Sequence, residues 1–262
     1  MRRTRSILVG VLLVPAAALS LLLSSAGVAT AIANGEPVPD GKYRFAVKLT
    51  MTGIPTASGG KRNSACSGAL IAPEWVITAG HCFRDANSVR VSRPVADLTT
   101  ATVGRTDLNG TAGHELTVVA VIQSPTADVS LARLERPVRD IRPLRVGHRA
   151  PEVGAVVRVT GYGSITSTNP VPETRLRTGQ MTVVSVGDSV TGLQGYAPQP
   201  DTTPCPYDSG APFFLERARA RPVLVSVVSN GPSCPHTGVE SSARTDNLAG
   251  WIRDSIRGAD TA

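Results

Sequence analysis

The run Pro204-Cys205-Pro206-Tyr207-Asp208-Ser209-Gly210-Ala211-Pro212 has the composition of a nucleophile loop. A serine hydroxyl attacks poorly until a rigid turn fixes its rotamer and backbone N–H groups face the oxygen that becomes charged. Cys205 can pin such a loop, Gly210 permits a backbone geometry that larger residues resist, and Pro212 stiffens the exit. Asp-Ser-Gly is also a common turn tripeptide, so the serine needs a base elsewhere. The best candidate is His81, in Trp75-Val76-Ile77-Thr78-Ala79-Gly80-His81-Cys82, where an apolar, strand-like run ends in small residues and a histidine.

Thr78-Ala79-Gly80-His81-Cys82, followed much later by Cys205-x-x-Asp208-Ser209-Gly210-x-Pro212, resembles the chymotrypsin/trypsin family of serine proteases. The similarity runs from about Ile32 to the terminal helix. It implies a third member, an aspartate just ahead of an apolar run. Asp128, before Val129-Ser130-Leu131-Ala132, resembles the family's Asp-Ile-Ala-Leu-Leu pattern, whereas Asp97 and Asp107 lack such a run. The resemblance then gives Ser209 as nucleophile, His81 as base, Asp128 as its orienting partner, and the N–H groups of Tyr207 and Ser209 as the oxyanion hole. No cofactor is expected and no metal site is visible.

The chain opens with Arg2, Arg3 and Arg5, an apolar run from Ile7 to Leu23, and small residues ending in Ala29-Thr30-Ala31, the pattern of a secretory signal peptide over 1–31. Pro15 and Ser20 interrupt the run that a membrane anchor would need. Cleavage a few residues earlier would leave a short pro-extension, whereas cleavage after Ala31 would make Ile32 the new terminus. The resemblance pairs that α-ammonium with Asp208, since a buried ion tolerates low dielectric only with its partner. Loss of the leader removes three arginines and leaves 24 basic against 20 acidic side chains, only mildly basic.

Four cysteines in an exported chain, Cys66, Cys82, Cys205 and Cys234, imply oxidation, and sequence alone permits three pairings. The resemblance selects Cys66 with Cys82 and Cys205 with Cys234. Zinc is the competing use, but there is no C-x-x-C and the four histidines are scattered.

Short runs such as Phe45–Leu49, Gly68–Ile71, Val89–Val91, Leu116–Ala120 and Ala155–Val159, spaced by Gly, Pro and Asn, read as antiparallel strands. The expected fold is all-β: two packed six-stranded antiparallel β-barrels, chymotrypsin-like, with a C-terminal α-helix. The peptidase domain spans 32–257, with the first barrel over about 32–140, the second over about 146–244 and the helix over about 245–257. Aromatics are 4% of the chain, so Val, Leu and Ile must fill the cores. Residues 53–62 read as a mobile hairpin tip and the polar stretch from 185 to Thr203 as a candidate specificity loop. Arginines at 133, 136, 139, 142 and 145 read as a solvated linker surface or a stripe for an acidic partner. No aromatics interleave them to stack bases, so no nucleic-acid partner is expected.

By register with the family, Thr203 falls at the floor of the substrate pocket, Gly231 and Gly238 on its walls, and Ser229 to Gly231 beside a bound peptide. His236 lies near the rim, either as a surface histidine or as a group favouring acidic side chains. With no acid at the floor, a Lys or Arg side chain would be desolvated unpaired, so the expected cleavage is not selective for basic residues. Three departures mark the loop and cleft: Tyr207 where the family has glycine, Ala211 in place of a second glycine, and Asn230 where tryptophan is usual. The resulting expectation is a secreted, monomeric serine endopeptidase acting on polypeptides, without stable membrane association after leader removal. The alternative is a protease-fold binding protein whose oxyanion hole Tyr207 has closed.

Overall fold

Alternating buried and exposed residues set the architecture. The computed structural model describes residues 32–217 and 220–260. The leader expected over 1–31 lies outside them. Among the described residues fourteen strands and one α-helix follow in order: β1 (Glu36–Pro37), β2 (Ala46–Pro55), β3 (Lys61–Ala72), β4 (Trp75–Thr78), β5 (Leu98–Val103), β6 (His114–Gln123), β7 (Ser130–Leu134), β8 (Arg145–Val146), β9 (Val156–Gly161), β10 (Arg177–Val186), β11 (Val190–Ala197), β12 (Pro212–Leu215), β13 (Val223–Asn230), β14 (Glu240–Arg244) and α1 (Ala249–Asp260).

Two six-stranded rings close. The first runs β2-β3-β4-β7-β6-β5 and returns to β2 through pairs such as Val47 with Val103. The second runs β9-β10-β11-β14-β13-β12 and closes where Phe213 meets Val159. All twelve ring pairings are antiparallel, while β1 adds to β10 and β8 lies parallel to β13. Closure removes the unpaired edges that an open sheet would expose.

Leu49, Met51, Leu70, Ile77, Leu116 and Leu131 fill the first barrel; Val157, Val159, Met181, Val183, Leu193 and Phe213 fill the second. Between the barrels Phe45 meets Phe214 edge-on, with ring centroids 5.2 Å apart. Tyr43 meets the same Phe214 ring at 5.2 Å. Few aromatics are present, and these three sit where one ring can serve both barrels.

Three local expectations change. Val89–Val91 is not a strand, because the Asp85 carboxylate accepts from the Asn87 and Val89 N–H groups at 2.9 and 3.0 Å and coils the segment. The stretch from 185 to 203 carries a strand, β11, turned from β10 by the Gly187 N–H to Val190 C=O bond at 2.8 Å, with Leu193 fully buried. The helix begins at Ala249, after a turn in which Asp246 holds the Arg244 guanidinium at 2.8 Å. Among the described residues no helix is long and apolar enough to cross a membrane.

Candidate active site at the junction of the barrels

The fully buried strand β4 delivers His81 on a single tight turn over Gly80–Phe83. The Cys66–Cys82 disulfide ties that turn to β3, and the Thr78 hydroxyl donates to Ser67 C=O at 2.7 Å. Asp128 precedes β7, whose pairing with β4 fixes its reach. Its Oδ2 lies 2.7 Å from His81 Nδ1 and its Oδ1 accepts the His81 backbone N–H at 2.8 Å. The Ser229 hydroxyl adds a third bond, to Oδ2, at 2.7 Å. Arg90 stands 3.7 Å from Oδ1 while donating to Ala127 C=O at 2.6 Å.

Burial pushes the Asp128 carboxyl up, but the hydrogen bond and charge of His81, the Ser229 hydroxyl and the His81 amide outweigh it and bring it to about 2. An ionised carboxylate only accepts, so His81 Nδ1 carries the proton and Nε2 faces Ser209 Oγ, 2.7 Å away, as the acceptor.

Ser209 sits in a turn closed by Ala211 N–H to Asp208 C=O at 2.8 Å, Gly210 N–H to Val228 C=O at 2.8 Å and Ser67 N–H to Ser209 C=O at 2.9 Å. Gly210 has φ of +83°, and a Cβ there would stand 2.1 Å from Thr78 Oγ1, so no side chain fits. Tyr207 also has positive φ, +75°. The peptide before it is fixed from the far side, since Pro206 C=O accepts the Ser164 N–H at 2.8 Å. A trans peptide sets N–H opposite C=O, so the Tyr207 amide direction is held by the backbone and not by its side chain. Among the described residues neither the Tyr207 nor the Ser209 amide finds an acceptor.

Asp208 is fully buried and accepts from Gly163 N–H at 2.8 Å, Cys205 N–H at 3.0 Å and the Ile32 backbone. Burial raises its carboxyl to about 7, against those bonds and the pull of Lys48. Lys48 is a cation that sequence reading missed. It is 4% exposed on β2, donates to Tyr162 C=O at 2.9 Å and lies 5.8 Å from the Tyr207 ring centroid. Burial lowers it to about 8, with Asp208 opposing. Nothing in Phe45-Ala46-Val47-Lys48-Leu49 marks the lysine as inward, because lysines alternate outward on most strands.

Cavities flank the nucleophile. One, of about 390 Å³, is lined by Met51, Ile54, His81, Tyr207 and Ser209. The other, of about 230 Å³, is lined by Cys205, Ser209, Val228, Ser229, Gly231 and Glu240. Gly231 thus falls on a wall, and Cys205–Cys234 braces the same region. Thr203 is fully buried in a bridge to Ala33 and does not line the cavity, and Gly238 is packed on Pro232 and His236 instead. The acid-free cavity assumed from the sequence does not exist: β14 turns Glu240 inward beside Gly231, and His236 is its partner at 2.8 Å and not a free surface group.

Two closed β-barrels with a serine, a histidine and an aspartate converging at their junction define the architecture of a chymotrypsin-like serine protease. The family described as Trypsin matches residues 32–252, and the chain belongs to that family. It is 26% identical to mouse (Mus musculus) Serine protease 56 over 86% of this chain and 38% of that protein. It is 38% identical to Protein C activator of Agkistrodon piscivorus leucostoma over 40% of this chain and 42% of that protein. The "Trypsin-like protease" of Streptomyces glaucescens is 25% identical over 79% of this chain and 75% of its own length. The chain thus spans about two fifths of the length of the first two relatives.

Proposed function

We propose that the protein is an exported, monomeric serine endopeptidase that hydrolyses polypeptides through an acyl-enzyme. The observation that carries this reading is the unbroken series Asp128 Oδ2 to His81 Nδ1 and His81 Nε2 to Ser209 Oγ, 2.7 Å at each step. Ser209 Oγ attacks the scissile carbonyl carbon as His81 Nε2 takes its proton. Asp128 holds the tautomer and stabilises the imidazolium. The Tyr207 and Ser209 amides receive the oxyanion. His81 then protonates the leaving amine, and water, activated by the same imidazole, releases the acid product and restores Ser209. A leader over 1–31 cleaved after Ala31 would free an Ile32 ammonium for Asp208; N-terminal sequencing of exported protein beginning elsewhere would remove that scheme.

The test is labelling of the exported protein with a fluorophosphonate, beside His81→Ala and Ser209→Ala. Labelling lost in both variants supports an activated serine. Absence of labelling in correctly folded wild type, with Ile32 as first residue, favours the second reading, a protease-fold binding protein. The positive φ of Tyr207 is what keeps that reading open.

A further inference from the structure

Glu240 is 3% exposed, and its carboxylate ends against the cavity that begins at Ser209. A Cβ added to Gly231 would lie 2.1 Å from Glu240 Oε2, which locates that oxygen above the Gly231 backbone at the cavity wall. Oε1 is engaged by His236 Nε2 at 2.8 Å; Oε2 has no partner among the described residues. Among the described residues no lysine or arginine pairs with Glu240, whose ion-pair partner there is His236.

A buried carboxylate without a cation is costly, and the site reflects this. Burial first, and the charge of Asp208 second, raise the Glu240 carboxyl to about 8, and burial lowers His236. Both shifts favour the uncharged form of each partner, and the two share a hydrogen bond. A guest ammonium or guanidinium would take the place of the proton, and Glu240 would become the counter-ion the cavity otherwise lacks. An acidic guest would meet Glu240 and the Asp208 field, and an apolar guest would leave Oε2 desolvated without a donor.

We infer that Glu240 is the specificity-determining acid of the substrate cavity, so that the enzyme cleaves after lysine or arginine although register with the family puts Thr203, and no acid, at the pocket floor. This rests on the peptidase reading above. The acid enters sideways from β14 instead of from the segment before Cys205.

The primary experiment reads binding, so it does not depend on turnover. Benzamidine, a flat amidinium, is titrated calorimetrically into wild-type protein beside benzamide, which has nearly the same shape and no charge. The expected result is binding of benzamidine alone, weakened about a hundredfold in Glu240→Gln, the size expected when one member of a desolvated charge pair is removed. A second arm compares kcat/KM for peptide amides with Arg, Lys, Phe, Ala or Glu before the scissile bond; Arg and Lys lead in wild type and lose their lead in Glu240→Gln. Thermal unfolding of Glu240→Gln controls for folding, and if that variant does not fold the benzamidine–benzamide difference in wild type still decides. Equal or absent binding of the two probes, or benzamidine affinity untouched in a folded Glu240→Gln, overturns the inference. Benzamidine binding without fluorophosphonate labelling would sink the peptidase reading and leave the cation site standing; labelling without benzamidine binding would do the reverse.

Discussion

Tyr207 offers the sharpest test of how the oxyanion site is held. Its amide direction follows from Pro206 C=O fixed by Ser164 N–H at 2.8 Å, so the side chain should be dispensable for chemistry. Consider Tyr207→Ala and Tyr207→Gly. Alanine keeps the +75° φ and loses the ring, which stands 5.8 Å from Lys48 Nζ and reaches Pro170 C=O only at 3.5 Å. A cation–π contact contributes about 0.5–1 kcal/mol when exposed and about 2 kcal/mol when desolvated, and Lys48 is buried, so Tyr207→Ala should destabilise by about 1–2 kcal/mol. Glycine removes the left-handed penalty of about 1–2 kcal/mol but adds freedom to the unfolded chain of about 0.5–1 kcal/mol. Tyr207→Gly should therefore lie within about 1 kcal/mol of wild type in urea unfolding.

The kinetic expectation is separate. Both variants keep the N–H, so second-order fluorophosphonate labelling should stay within about tenfold of wild type, against a loss on the order of 10²–10³ when an oxyanion donor is removed. Two results would refute the reasoning. A hundredfold loss in Tyr207→Gly would mean that the ring organises the hole. A hundredfold gain would mean that the tyrosine had been holding the site shut.

Other outcomes follow from the same geometry. Asp128→Asn has only one acceptor oxygen for the three donors His81 N–H, His81 Nδ1–H and Ser229 OH, so its amide NH₂ opposes one of them and favours the tautomer with Nε2–H toward Ser209. Peptidase kcat should fall on the order of 10⁴ with substrate KM little changed; a fall under tenfold would deny Asp128 the orienting role. Asp128, lowered from 3.8 to about 2, contributes stability that is present above pH 3.8 and lost as pH falls through about 2, amounting to about 2 kcal/mol. Urea midpoints of wild type should drop more steeply between pH 4.5 and about 2 than those of Asp128→Asn; parallel curves would contradict the assignment. The Cys205–Cys234 bridge spans 29 residues and Cys66–Cys82 spans 16, so replacing either pair by serine should cost about 3 kcal/mol, slightly more for the longer loop. A change under 1 kcal/mol for either would show that the unfolded chain is not the state being constrained.

The parts of the site legible in the sequence are those whose chemistry needs neighbours in the chain. Ser209 requires Gly210 at its turn, and His81 requires small residues and a cysteine that anchors it, so each carries a local signature. Asp128 carried only a weak one and was found through resemblance, because an aspartate before a strand is also an ordinary turn residue. Local propensity misled at Val89–Val91, where apolar alternation persists in a coil that Asp85 holds, and at β11, whose outward polar residues read as a loop. Barrel closure was legible through the regular spacing of strands. Which side chain each strand turns inward was not.

Lys48 and Glu240 are the consequence. Glu240-Ser241-Ser242-Ala243-Arg244 is polar enough to read as a surface strand, yet its pairing with β11 and β13 turns Glu240 and Ser242 inward. Burial of these charges depends on the meeting of distant strands, which no local pattern encodes. Together they set a balance. Lys48 and the backbone donors serve Asp208, and on processing after Ala31 the Ile32 ammonium would join them. None of these reaches Glu240 as an ion-pair partner, and His236 beside it is lowered by its own burial. Among the described residues Glu240 is therefore left without a lysine or arginine partner, at the wall of the cavity that opens at Ser209, and on the inference drawn above the side chain of a basic substrate would supply that cation.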